Sequence, residues 1–251
     1  MDLPLLGYVP STPAVLLLGW ACLLYGGMLH PEQPGKNRRM PRWMRLGSSL
    51  ALVAFAAIRC TSLGGRTWPV ISFALFAGIA MGAVGDFCLA EVFPVAQPMI
   101  AGLGAFAVGH VFYVVVLVGL LADYGPSPAV LGACVGMVAL SVVGWRVLVY
   151  PSSRSARLRW MALGYAVLLA SMTGLAIGLG GVAGFAGGPR VAVGATLFWV
   201  SDVLLAARIF RGAHFRLLDD WVWLTYGTGQ MLLVVGCTSF LPIVRVFQPV
   251  H

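Results

Sequence analysis

Residues 98–121 read PMIAGLGAFAVGHVFYVVVLVGLL, a run of 24 residues without a single Lys, Arg, Asp or Glu. A helix that is apolar all round must bury its whole circumference, in a large core or in lipid. About 20 such residues span a bilayer. The rest of the chain decides between the two. Of its 251 residues 60% are hydrophobic and 10% charged, against roughly 25% charged in an ordinary soluble domain. Mean hydropathy is +0.92. This composition excludes a soluble globular enzyme, a disordered chain and a coiled coil. It indicates a polytopic membrane protein with little length left for a separate soluble domain.

Apolar runs bounded by proline, glycine and charge fall at about 13–29, 46–64, 69–90, 98–121, 128–149, 160–180, 191–210 and 221–244. A spanning segment satisfies its own backbone hydrogen bonds, so these eight runs are expected to be helices and not strands. The expected fold is all-α, one integral membrane domain over residues 1–251 with eight transmembrane helices. The opening MDLPLLGYVPSTP carries an acid and no Lys or Arg, where a signal peptide would have a positive n-region. The five cysteines are scattered through apolar stretches without a CxxC pair. Neither a disulfide framework nor a zinc cluster is expected.

The net charge of +8 is unevenly spread. Odd-numbered loops hold eleven cations: Lys36, Arg38, Arg39, Arg42, Arg45, Arg154, Arg157, Arg159, Arg208, Arg211 and Arg216. The other face holds four: Arg59, Arg66, Arg190 and Arg245. The positive-inside rule then places the basic loops in the cytoplasm of a cell-membrane protein, with both termini outside. The charge is read as orientation and not as a nucleic-acid surface. Its arginine-rich make-up also suits lipid phosphates.

Two of the eight acids, Asp86 and Asp202, lie inside apolar runs. An intramembrane carboxylate is costly and is a functional candidate by default; the alternative is a structural bond to a neighbouring helix. On the topology above both lie about 12 Å from the cytoplasmic end. Gln230 lies about 13 Å deep, with Tyr226 one turn shallower, and His110 about 18 Å deep, with Tyr113 one turn further on. The stretches VGDFCLA and VSDVLLA share Val, Asp, Leu and Ala, and Gly78 and Gly194 each precede the aspartate by eight residues. This faint repeat predicts that helices one to four and five to eight are parallel duplicates. Small residues four apart (Gly78 and Gly82, Gly132 and Gly136, Gly174 and Gly178, Gly184 and Gly188) are read as helix packing without chemistry. Cys88 is two residues from Asp86, a spacing that faces different sides of a helix, so it is read as packing too.

At these residues the sequence resembles the YhhN family, the lysoplasmalogenase family of integral membrane proteins. The features are GDxxLA at residues 85–90, SDxxLA at 201–206, GHxxY at 109–113 and YxxxQ at 226–230. Their order and the eight-span layout cover essentially the whole chain. The resemblance implies hydrolysis of the vinyl ether bond of lysoplasmalogens, lysophospholipids whose cleavage yields a fatty aldehyde and a glycerophospho-headgroup. Such a bond breaks by protonation of its β-carbon and addition of water to the oxocarbenium. Two carboxyls in a dry site suit this, because burial and mutual repulsion keep one of a pair protonated. Asp86 and Asp202 are the expected catalytic residues, titrating as a unit. His110, Tyr113, Tyr226, Gln230 and Ser201 are the expected binding or orienting residues.

Arg208, Arg211 and Arg216 border the same end and can hold a headgroup phosphate. For these three, and for His214, a solvated loop face is the preferred reading. No metal or other cofactor is expected. The partners are the lysophospholipid and membrane lipids, with the oligomeric state left open. Two other readings use the same aspartates: a proton-coupled transporter and an intramembrane aspartyl protease. Against the first stands the lack of mid-span prolines. Against the second, AVGD precedes Phe87 where such proteases resemble GxGD.

Overall fold

Eight α-helices make up the described part of the chain: α1 (Thr12–Gly26), α2 (Arg42–Arg59), α3 (Pro69–Leu89), α4 (Pro98–Ala122), α5 (Pro128–Leu148), α6 (Ala156–Gly180), α7 (Gly188–Arg211) and α8 (Leu218–Thr238). They come from a computed structural model that describes residues 11–32, 37–61, 69–125, 127–182 and 185–239. No strand occurs among these residues. Lys36, Arg66, Gly184, Arg245 and the ends of two expected spans, 62–64 and 240–244, lie outside them.

The helix starts follow from local chemistry. Proline stands in the first turn of α1, α3, α4, α5 and α7, where its missing N–H costs nothing. Ser127 and Ser155 cap α5 and α6, their hydroxyls accepting from the amides of Ala129 and Leu158. Gly212 ends α7 at φ 64°, a conformation that favours glycine.

Several boundaries differ from the expected spans; α7 and α8 begin at Gly188 and Leu218, three residues before the expected 191 and 221. The helix expected from 46 starts at Arg42, because extended Pro41 delivers the chain into the helix there and the two arginines form its first turn. The Ser155 cap moves the start of α6 from 160 to Ala156. The first span ends as a short 3-10 turn, Gly27–Leu29, and not as α-helix.

Six of the helices (α1 with its 3-10 turn, and α3 to α7) are long and apolar enough to cross a membrane. The exceptions, α2 and α8, carry three arginines and a row of inward polar groups respectively. The apolar helices fit a multi-pass membrane protein. Their outward faces are greasy: Leu131, Val135, Val143 and Val147 on α5 are all more than half exposed.

Closest packing joins α3 to α4 and α7 to α8, and a glycine pair sits at each contact. A Cβ on Gly109 would lie 3.0 Å from the Gly78 carbonyl oxygen, and one on Gly194 would lie 2.8 Å from that of Gly229. Only glycine lets the backbones meet so closely. Further contacts join α4 to α6 and, less extensively, α2 to α8.

The loops of one end are tied together. The Asn37 side chain donates to Phe215 O (2.5 Å) and accepts from Leu217 N (2.9 Å), and Asp220 accepts from the amides of Arg39 and Met40. Glu32 bridges Arg216 (2.8 Å) and Arg39 (3.5 Å), whose guanidiniums hold its carboxyl below the usual carboxylate range.

Candidate functional site

Asp86 stands in the last two turns of α3 and is 2% exposed. Its Oδ2 accepts from Ser49 Oγ on α2 (2.5 Å) and from the Tyr226 hydroxyl on α8 (2.9 Å). Behind Tyr226 the chain continues: Gln230 Nε2 donates to the tyrosine oxygen (3.3 Å), and Gln230 Oε1 accepts from Tyr113 on α4 (2.5 Å). Gly82, one turn before Asp86, leaves room for this amide; a Cβ there would come within 2.6 Å of Gln230 Nε2. Four helices therefore meet in one relay of hydroxyls and an amide that ends on a carboxylate.

Asp202 on α7 has a matching arrangement. Tyr165 on α6 donates to its Oδ2, and His110 Nε2 on α4 lies 3.0 Å from the same hydroxyl. With the phenol hydrogen directed to Asp202, His110 is left to donate through Nε2. Nδ1 is then a buried acceptor without a hydrogen-bond partner among the described residues. The imidazole packs edge-on to Phe198, centroids 4.9 Å apart.

Both aspartates line one vestibule of about 1010 Å³. Its walls come from the start of α2, the end of α3, the start of α4, the α5–α6 loop, the end of α7 and the start of α8. All of these belong to the basic end of the bundle. Arg38, Arg42, Arg45, Arg154, Arg208, Arg211 and His214 also line it.

A second cavity, about 140 Å³, lies among α4, α5, α6 and α7. It is lined by Leu103, Trp145, Leu148, Leu169 and Trp199, with Tyr165 and Asp202 among its few polar groups. Leu89, Met99, Phe106, Asp202, Leu205, Ile209 and Phe210 line both spaces. Asp202 is thus the carboxylate at which a charged chamber meets an apolar one. Asp86 faces only the charged chamber.

The expected site residues are distributed as follows. Tyr113, Tyr226 and Gln230 join Asp86, and His110 joins Asp202 through Tyr165. Ser201 lines the vestibule, but its hydroxyl is committed to the Val222 carbonyl (3.0 Å), fastening α7 to α8. Arg208 pairs with Asp219 (2.9 Å) and Arg211 donates to Val147 O (2.6 Å). Arg216 is engaged with Glu32 and does not line the vestibule.

Three residues escaped the sequence reading: Ser49, Tyr165 and Arg45. A signal for them exists. RWMRLG at 42–47 returns as RWMALG at 159–164. Just beyond these motifs, Ser49 and Tyr165 each stand 37 residues before the aspartate they bond.

No curated protein and no solved structure matches the chain. The sequence profile of the YhhN family matches residues 42–237, from the first RWMxLG motif to the end of α8, and the chain belongs to that family.

Proposed function

We propose that this protein hydrolyses the vinyl ether bond of lysoplasmalogens, giving a fatty aldehyde and a glycerophospho-headgroup. The observation that carries the reading is the position of Asp202, between an arginine-lined vestibule and an apolar pocket, with Asp86 in the same vestibule. A lysophospholipid has the same division, and its vinyl ether lies at the boundary. Family membership supports the reading at the level of the family.

The β-carbon of the alkene is on the chain side of the ether, so the carboxyl facing the apolar pocket is the natural proton donor. In this scheme Asp202 protonates that carbon and the ether becomes an oxocarbenium ion. Water adds to the cationic carbon and gives its proton to Asp86, which Ser49 and Tyr226 hold in place. The hemiacetal then collapses. Asp202 takes back the hydroxyl proton while Asp86 protonates the departing glycerol oxygen. One water is consumed and both carboxyls return to their starting states. Pre-positioned groups of this kind contribute about 10²- to 10⁴-fold each.

In this reading all eight helices cross the membrane, the two halves are parallel duplicates and the basic end is cytoplasmic. Lipid then reaches the vestibule from the inner leaflet. The test is aldehyde release from lysoplasmenylcholine or lysoplasmenylethanolamine by the purified protein in liposomes. Asp202→Asn and Asp86→Asn are each expected to lower turnover at least a hundredfold with folding retained. Full activity in both variants would sink the mechanism. Equal cleavage of ester lysophospholipids would replace it with a lysophospholipase.

A further inference from the structure

Arg45 is a buried cation that the reaction scheme does not use. It stands in the first turn of α2, is 8% exposed and lines the vestibule. Its guanidinium carbon lies 5.1 Å from the centroid of the Trp223 ring. Its Nε has no hydrogen-bond partner, and the residue makes no ion pair within 4.0 Å among the described residues.

The acids within its electrostatic reach are Asp86, Asp219 and Asp220. Each is already engaged: Asp86 by Ser49 and Tyr226, Asp219 by Arg208, and Asp220 by two backbone amides. Arg38 is a further cation nearby. A guanidinium lying over an aromatic face keeps its in-plane donors for a planar or tetrahedral oxyanion, which they grip in pairs.

The position fits one ligand class. Arg45 precedes Ser49 by one turn on α2, about 6 Å, and Trp223 precedes Tyr226 by about 4.5 Å on α8. The Arg45–Trp223 layer therefore lies one turn nearer the basic end than Asp86. That is the reach of a glycerol unit between an ether oxygen and a phosphate. The arginine is not part of the shared helix-start motif either, since Ala162 stands at its place in the second copy.

We propose that Arg45, backed by Trp223 and flanked by Arg42, is the phosphate-binding site of the vestibule and takes the phosphodiester of an amphiphile. The proposal rests on reading the vestibule as a lipid site, but not on the reaction. Its test therefore uses an unreactive ligand. The full chain in detergent is titrated with a 1-O-alkyl lysophosphocholine and with the 1-O-alkylglycerol of equal chain length, which lacks the phosphate.

Arg45→Gln is expected to weaken the phosphate ligand at least roughly tenfold and to leave the alkylglycerol unchanged. Equal weakening of both ligands, or of neither, overturns the proposal in favour of a packing role. If Arg45→Gln does not fold, Arg45→Lys retains the cation without the fork, and a selective but smaller loss is expected. Glycerophosphocholine and inorganic phosphate identify the source. Arg45-dependent binding that needs the alkyl chain assigns the site to a lipid headgroup. Equally tight chainless binding assigns the same phosphate site to a soluble ligand. An inactive protein that passes this test refutes the hydrolase reading alone.

Discussion

Tyr165 shows how much the site depends on a residue without charge. Its hydroxyl links His110 to Asp202. Phenylalanine there would leave a buried imidazole nitrogen and a carboxylate oxygen without their partner, at a cost of about 1–3 kcal/mol. Tyr165→Phe is expected to lower the thermal midpoint in detergent and to reduce kcat more than KM. An unchanged midpoint and rate would remove Tyr165 from the site. The aspartates were legible in the sequence because a carboxylate in an apolar run is costly wherever it points. Tyr165, Ser49 and Arg45 were not. A tyrosine or serine is ordinary in such a helix, and an arginine before a span counts as a loop charge. Their importance depends on which helix lies opposite.

At the scale of the helix, proline, glycine and serine make most boundaries readable, and two of the misreadings share a cause. Both α2 and α8 were entered late because their first turns are charged: Arg42 and Arg45 in one, Asp219 and Asp220 in the other. The α8 turn is tied to the opposite loop, Asp220 accepting from the amides of Arg39 and Met40. The small-residue spacing was readable as packing only in general. A Cβ on Gly174 would run into the Cys134 backbone, while one on Gly132 or Gly136 would meet no neighbouring helix within 4 Å among the described residues. This contrast gives a test. Gly194→Ala drives a methyl to 2.8 Å from a backbone oxygen and is expected to destabilise by about 1–3 kcal/mol. Gly132→Ala is expected to leave the midpoint unchanged in the same melting assay. Equal midpoints for the two variants would mean that α7 and α8 do not meet as described.

For the molecule as a whole, the vestibule opens at the end that carries most of the cations, so its orientation in the cell fixes which solution it samples. Single-cysteine labelling measures this directly. In a background freed of the native cysteines, His214→Cys is expected to react with an impermeant maleimide in inverted vesicles and not in intact cells. The opposite pattern would reverse the proposed topology. The matched positions of the aspartates have a consequence at this scale. In a symmetric pair of identical chains every substitution appears twice, and two equivalent carboxylates must keep identical neighbours. On the proposed reading of two duplicated halves, both belong to one polypeptide, so each can change without its counterpart. A serine can hold one aspartate and a tyrosine the other, 37 residues ahead in each case. An arginine can stand where the other RWMxLG motif has alanine. On that reading, continuity of the chain is what allows two like acids to become unlike.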